Sequence, residues 1–181
     1  LYVWEKDENM LHENDAAEIL YRICAGAHIH GSEIKEGKIE LIADMDGLLK
    51  INRPRLLAVN SLGEMMIASI HGDFPVKKGD KIAGTRIIPL VIEKEKMEAA
   101  RQAGGQDPIF RILPFRQKKV GIVTTGSEVY KGLIQDTFTP VIREKMAEYP
   151  TQVMDHICVD DDMEHITRAI LTQIEKGADL V

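Results

Sequence analysis

A short aliphatic run that stops abruptly at a glycine loop constrains this chain more than any other feature. Val120, Ile122 and Val123 suit a strand buried on both faces. Thr124, Thr125, Gly126, Ser127 and Glu128 follow at once, and these small or polar residues cannot continue such a strand. Gly126 permits a sharp turn with positive φ and leaves room for a ligand near the main chain. A helix pattern opens at about Asp136. In an open α/β sheet, ligands bind in the crevice beyond the carboxyl ends of the strands, so 124–128 reads as a binding loop. Its hydroxyls, backbone N–H groups and single carboxylate suit a phosphate or a hydrogen-bonding heterocycle, with Mg²⁺ held beside it through water. An ordinary strand-to-loop turn would satisfy the same pattern.

Beyond residue 117 the chain alternates. A strand over 119–125 precedes a helix near 137–149 with Phe138, Val141, Ile142, Met146 and Tyr149 on one side. A second strand near 151–159 leads to Asp160, Asp161 and Asp162, then to a helix over about 163–176 carrying Met163, Ile166, Ile170 and Ile174. Gly177 ends that helix, and 178–181 reads as the opening of a third strand. Such alternation gives parallel pairing through right-handed crossovers, hence an α/β fold with a doubly wound, mostly parallel sheet over 118–181. Asp136 is the natural cap of the first of these helices. Only one of the three aspartates is needed to cap the second, and the excess suggests a metal or proton-transfer role at the same edge.

The N-terminal part has a different rhythm and reads as a separate β-rich α+β module over 1–115. Residues 1–4 suggest the tail of a strand. Ala16, Ile19, Leu20, Ile23 and Cys24 have helical spacing behind capping residues at 12–15, with Gly26 closing the helix. Lys38–Ala43 and Gly47–Ile51 read as strands joined by a turn at 44–47, and Asn52 and Pro54 open a short helix. Strands over 65–71 and 81–91 flank a turn-rich connection at 74–80. A charged helix over 94–103 and an extended stretch over 108–115 complete the module. Cys24, His28 and His30 fit no zinc spacing. The stretch from Asp44 begins like a calcium loop, but its twelfth position holds Arg55. Arg111, Arg116, Lys118 and Lys119 read as a basic linker.

A net charge of -6 argues against a general nucleic-acid binder. No apolar run approaches the roughly 20 residues that span a bilayer. With two cysteines there is no disulfide framework, so the expected compartment is the cytoplasm. The chain starts at Leu1 and stops within an incipient strand, so part of the natural chain is expected to lie beyond each end.

The pieces from Lys119 to Glu128, Gln135-Asp136, Ile157 to Asp162 and Gly177 to Val181 resemble, in order and spacing, the molybdopterin-binding domain. Molybdopterin molybdotransferases, molybdopterin adenylyltransferases and CinA-like proteins share that domain. The resemblance covers about a third of the chain. It implies molybdopterin, or its adenylylated form, at the carboxyl edge of the sheet, with Thr124, Thr125, Gly126, Ser127, Glu128 and Asp136 forming the binding loop and helix opening. It also implies that Asp161 and Glu128 carry the catalytic and Mg²⁺-linked roles, with molybdate as co-substrate and a homodimeric cleft. Ser127 stands where many molybdotransferases have aspartate, and Phe138 where asparagine is usual. The family's second binding loop would fall just after Val181, and a fragment without it is expected to bind poorly. A non-catalytic molybdopterin carrier or sensor, and a CinA-like nucleotide-derivative hydrolase, are the alternatives.

Overall fold

The spacing of apolar residues along short strands decides how the first part of the chain folds. In the computed structural model, which describes residues 8–181, the chain divides into two compact units, Leu1–Pro114 and Phe115–Val181. The strand expected at 1–4 lies outside the described residues. The first unit runs β1 (Met10–His12), α1 (Glu13–Cys24), β2 (Ile29–Gly31), β3 (Lys38–Ala43), β4 (Gly47–Ile51), α2 (Arg53–Asn60) and β5 (Met65–Ser69). It continues through β6 (Phe74–Val76), β7 (Lys81–Ile87), β8 (Val91–Glu93), α3 (Lys94–Gly104) and β9 (Phe110–Pro114). All its ladders are antiparallel: β2-β3-β7-β5, β6-β4-β9 and the short pair β1-β8.

The helix-spaced residues Ala16, Leu20, Ile23 and Cys24 bury one face of α1, with Ala17 beside them. Against it lie Leu41, Ala43 and Ile82 from one sheet and Leu49, Phe110 and Ile112 from the other, in a single aliphatic core. The 44–47 turn therefore does not close a hairpin. It passes the chain from one sheet to the next, so that β3 pairs with β2 and the distant β7 while β4 pairs with β6 and β9. The segment 74–80 is not purely a turn: Phe74 stands opposite Leu49, and Val76 is buried. Pro75 is tolerated there because β6 is an edge strand, where no ladder N–H is missed. Cys24 lies in the core, where burial pushes its thiol far up, and His30 Nδ1 sits 2.6 Å from Asp44 Oδ1.

The second unit runs β10 (Lys118–Thr125), α4 (Ser127–Tyr130), α5 (Phe138–Ala147), β11 (Thr151–Val159) and α6 (Met163–Glu175). β10 and β11 pair in parallel, from Lys118 opposite Thr151 to Thr125 opposite Val159, with a register shift between Val120 and Gly121. The other edge of β10 is met by Leu180 through a parallel bridge at Val120, with Gly121 N donating to Leu180 O at 2.9 Å. The molecule is thus a mixed α/β protein with several sheets, one of them parallel.

The helix faces differ from the sequence reading. On α6, Ala169 and Gln173 are buried, while Met163, Ile170 and Ile174 are exposed. On α5 the buried residue is Thr139, and Phe138 and Val141 face solvent. The cause on α6 is Gly121. A Cβ there would stand 2.7 Å from Gln173 Cδ, so the missing side chain lets the helix settle directly on the strand. Gln173 is fully buried; its Nε2 donates to Ile122 O at 3.5 Å, and its Oε1 has no partner among the described residues. Gly121→Ala should displace Gln173 and cost about 1–3 kcal/mol. Urea unfolding checks this, and an unchanged midpoint would contradict the close approach of α6.

Candidate functional site

Because β10 and β11 are parallel and end level, the segments that leave them emerge at one rim. Gly126 N donates to Val159 O at 3.1 Å, and the backbone then turns at φ 147°, a value that favours glycine. The turn starts α4 directly, so part of the expected loop is a single helical turn. Its cap residue, Gly126, has no side chain to satisfy the first N–H groups. A carboxylate from the other strand does so instead: Ser127 N donates to Asp161 Oδ2 at 2.9 Å. This one hydrogen bond joins the glycine loop to the aspartate corner.

The three aspartates have separate partners. Asp162 caps α6, accepting from Glu164 N at 2.8 Å and His165 N at 3.2 Å. Asp160 Oδ1 lies 2.7 Å from His165 Nδ1 and also accepts from Asp162 N. Asp161 serves α4. The surplus noted in the sequence therefore resolves into one cap for each helix and one ion pair.

Asp136 opens α5. Its Oδ1 accepts from Phe138 N at 2.9 Å and Thr139 N at 3.0 Å, and its Oδ2 from Thr139 Oγ1 at 2.5 Å. These bonds, the Thr139 hydroxyl first, hold the carboxyl below the usual carboxylate range. Thr139 is joined at 3.1 Å to His156 Nε2, which also meets Thr124 Oγ1 at 2.5 Å. Since the Thr139 proton goes to Asp136, its oxygen accepts from Nε2–H of His156. A chain of four side chains thus ties Asp136 to the carboxyl end of β10.

Of the site residues anticipated from sequence, Gly126, Ser127 and Asp161 meet directly, while Thr124 and Asp136 meet through His156 and Thr139. The side chains of Thr125 and Glu128 are exposed, and Glu128 makes no ion pair among the described residues. His156 was not anticipated. It sits mid-strand beside no glycine or turn signal, and only its register opposite Ile122 brings it under α5. Next to the rim a cavity of about 300 Å³ is lined by Tyr130, Cys158, His165 and Arg168. Among the described residues no group of three or more His, Cys, Asp or Glu could hold a metal ion. The donors at the rim fit an oxyanion or a metal shared with a ligand's own oxygens better than a metal caged by protein alone.

The Asp160–His165 pair sets a pH window. The carboxylate raises the imidazole pKa above its ordinary 6.5, and the imidazole lowers the Asp160 pKa below 3.8. The histidine's share of stability is complete below about 6.5 and is lost as pH rises through its raised pKa; the aspartate's is present above about 3.8 and is lost as pH falls through its lowered pKa. Thermal midpoints of the wild type and His165→Gln should therefore differ near pH 5–6 and converge by about pH 9. A gap that persists at pH 9 would contradict the ion pair.

Comparison with curated proteins gave no match, and comparison with solved structures gave none either. Residues 121–181, about a third of the chain, match the family model described as a probable molybdopterin binding domain. The matched span lies within the second unit and includes the residues that build the rim.

Proposed function

We propose that the second unit binds molybdopterin at the rim formed by 124–128, Asp136 and Asp161, in the service of molybdenum cofactor biosynthesis. The observation that carries this reading is the Ser127–Asp161 hydrogen bond, which joins both loop corners within the span that matches the family. The first-turn N–H groups of α4 and the exposed hydroxyl of Thr125 suit the phosphate of the ligand, and the hydroxyl of Ser127 lies beside them. A doubly wound sheet completes the reading. It is supported by α5 contacting the strands through Thr139 and His156, α6 through Gln173 and Gly121, and Leu180 bridging the far edge of β10.

In the fuller form of the proposal the protein is a molybdopterin molybdotransferase-like enzyme of the cytoplasm, acting as a homodimer. It would take the adenylylated pterin and molybdate, with Glu128 and Asp161 as the catalytic and Mg²⁺-holding carboxylates. The second reading is a non-catalytic molybdopterin carrier or sensor. It draws support from the commitment of Asp161 to the Ser127 amide and of Asp160 to His165, which leaves Glu128 as the unpaired carboxylate on the rim. The division of 1–114 from the rest is proposed to separate an accessory domain from this binding domain. Among the described residues, no helix is long and apolar enough to cross a membrane.

Titrating the full-length protein with molybdopterin tests the proposal. Saturable binding is expected, weakened about tenfold in Asp161→Ala, which removes a charge-assisted hydrogen bond. Adding molybdate and Mg²⁺ then separates the readings: turnover lost in Glu128→Gln supports the enzyme, and binding without metal insertion supports the carrier. Absence of pterin binding, with binding of an ADP-ribose-like ligand instead, would replace both by the CinA-like hydrolase.

A further inference from the structure

The first unit holds a cleft of its own, and nothing in the reading of the second unit uses it. The cleft measures about 800 Å³, within the range of small-ligand sites. Its lining combines the apolar Ile51, Pro108 and Ile109 with the basic Lys50, Arg53 and Arg111. Asn52, Arg53 and Pro54, at the start of α2, also line it; Asn52 Oδ1 already accepts from Arg55 N and Pro54 has no N–H, so the Arg53 amide is what this helix start offers.

Two features of the charge arrangement point to an absent partner. Lys50 on β4 and Arg111 on β9 stand directly opposite each other in the antiparallel ladder, a like-charge pair that opposes strand pairing. Asp73 relieves only one side of it, pairing with Lys50 and, at 3.9 Å, with Arg53. Arg111 makes no ion pair or side-chain hydrogen bond among the described residues. The other carboxylate of the cleft, Asp107, is held by Arg55 at 3.3 Å, with Arg55 Nη1 also donating to Asp107 O at 2.7 Å. Both carboxylates are thus already paired, and the exposed Arg111 lines the cleft without a partner among the described residues.

We propose that this cleft binds a small phosphorylated molecule or free phosphate, with Arg111 as the principal ligand to the oxyanion and Lys50 and the α2 N-terminus beside it. A phosphate between Lys50 and Arg111 would replace their repulsion by two charge-assisted contacts, and a planar guanidinium suits two phosphate oxygens at once. The apolar part of the lining leaves room for an organic body on the phosphate. The proposal rests on the first unit alone and stands or falls independently of molybdopterin binding.

The experiment is a pair of amide-resolved NMR titrations of the whole chain, one with inorganic phosphate and one with ribose 5-phosphate, in low-chloride buffer. Saturable shifts are expected at the Arg53 amide and at the Arg111 side-chain N–H, with affinity about tenfold weaker in Arg111→Gln and only partly restored in Arg111→Lys, which keeps the charge but not the planar fork. Tighter binding of ribose 5-phosphate assigns the site to a phosphate ester, and tighter binding of inorganic phosphate assigns it to the free ion. Without any anion, Arg111→Gln should raise the thermal midpoint, because it removes the like-charge pair. Absence of saturable shifts with both probes, shifts indifferent to Arg111→Gln, or a lowered midpoint in that variant would overturn the proposal.

Discussion

A single carboxylate-to-amide hydrogen bond, Asp161 to Ser127, ties the glycine loop to the aspartate corner in the second unit. Two parallel strands that end level bring their following segments to one rim, where Gly126 N already donates to Val159 O and Asp161 adds a side-chain link further along. The glycine that lets the chain turn after β10 also deprives α4 of a capping side chain. Asp161 meets that need from the other strand, and a local structural requirement thereby becomes the link between two corners distant in sequence. Every property proposed for the rim, from oxyanion binding to metal sharing, presumes that this link is made.

The strands that end at the rim are held by polar contacts as well as by the buried Val120, Ile122 and Ala169. Thr124, His156, Thr139 and Asp136 form a relay that joins β10, β11 and α5, while Gln173 lies against Gly121 on α6. Buried polar groups specify geometry when satisfied and are costly when not. Each link of the relay is within hydrogen-bond distance, whereas the Oε1 of Gln173 is the one orphan among the described buried side chains. The positions that hold the rim are thus finely placed, and the exposed apolar residues of α5 and α6 have little part in holding it.

Much of this could be read from the residues, and the misreadings share a physical cause. The strand ending at Thr125, the aspartate corner and the helix beginning near 138 follow from short apolar runs cut by small and acidic residues, which are local signals. The orientation of α6 does not follow from them. The stripe of Met163, Ile166, Ile170 and Ile174 is the obvious apolar face, but the contact is decided by the missing side chain at Gly121, on another element. β6 was hidden because Phe74-Pro75-Val76 is too short to show alternation, and Pro75 argues for a turn unless the strand is known to lie at an edge. His156 was missed for the same reason, since its importance comes from register and not from its neighbours in sequence. The separation of β3 and β4 into different sheets likewise depends on partners far along the chain.

The central claim is that the carboxylate of Asp161 holds the Ser127 amide across the rim, and amide hydrogen exchange measures it directly. In the wild type the Ser127 N–H should exchange slowly for a residue at the first position of a four-residue helix, and Asp161→Ala should bring it close to the rate of an unprotected amide while amides in the middle of β10 keep their protection. A Ser127 amide that exchanges freely in the wild type, or that keeps its protection in Asp161→Ala, would contradict the account.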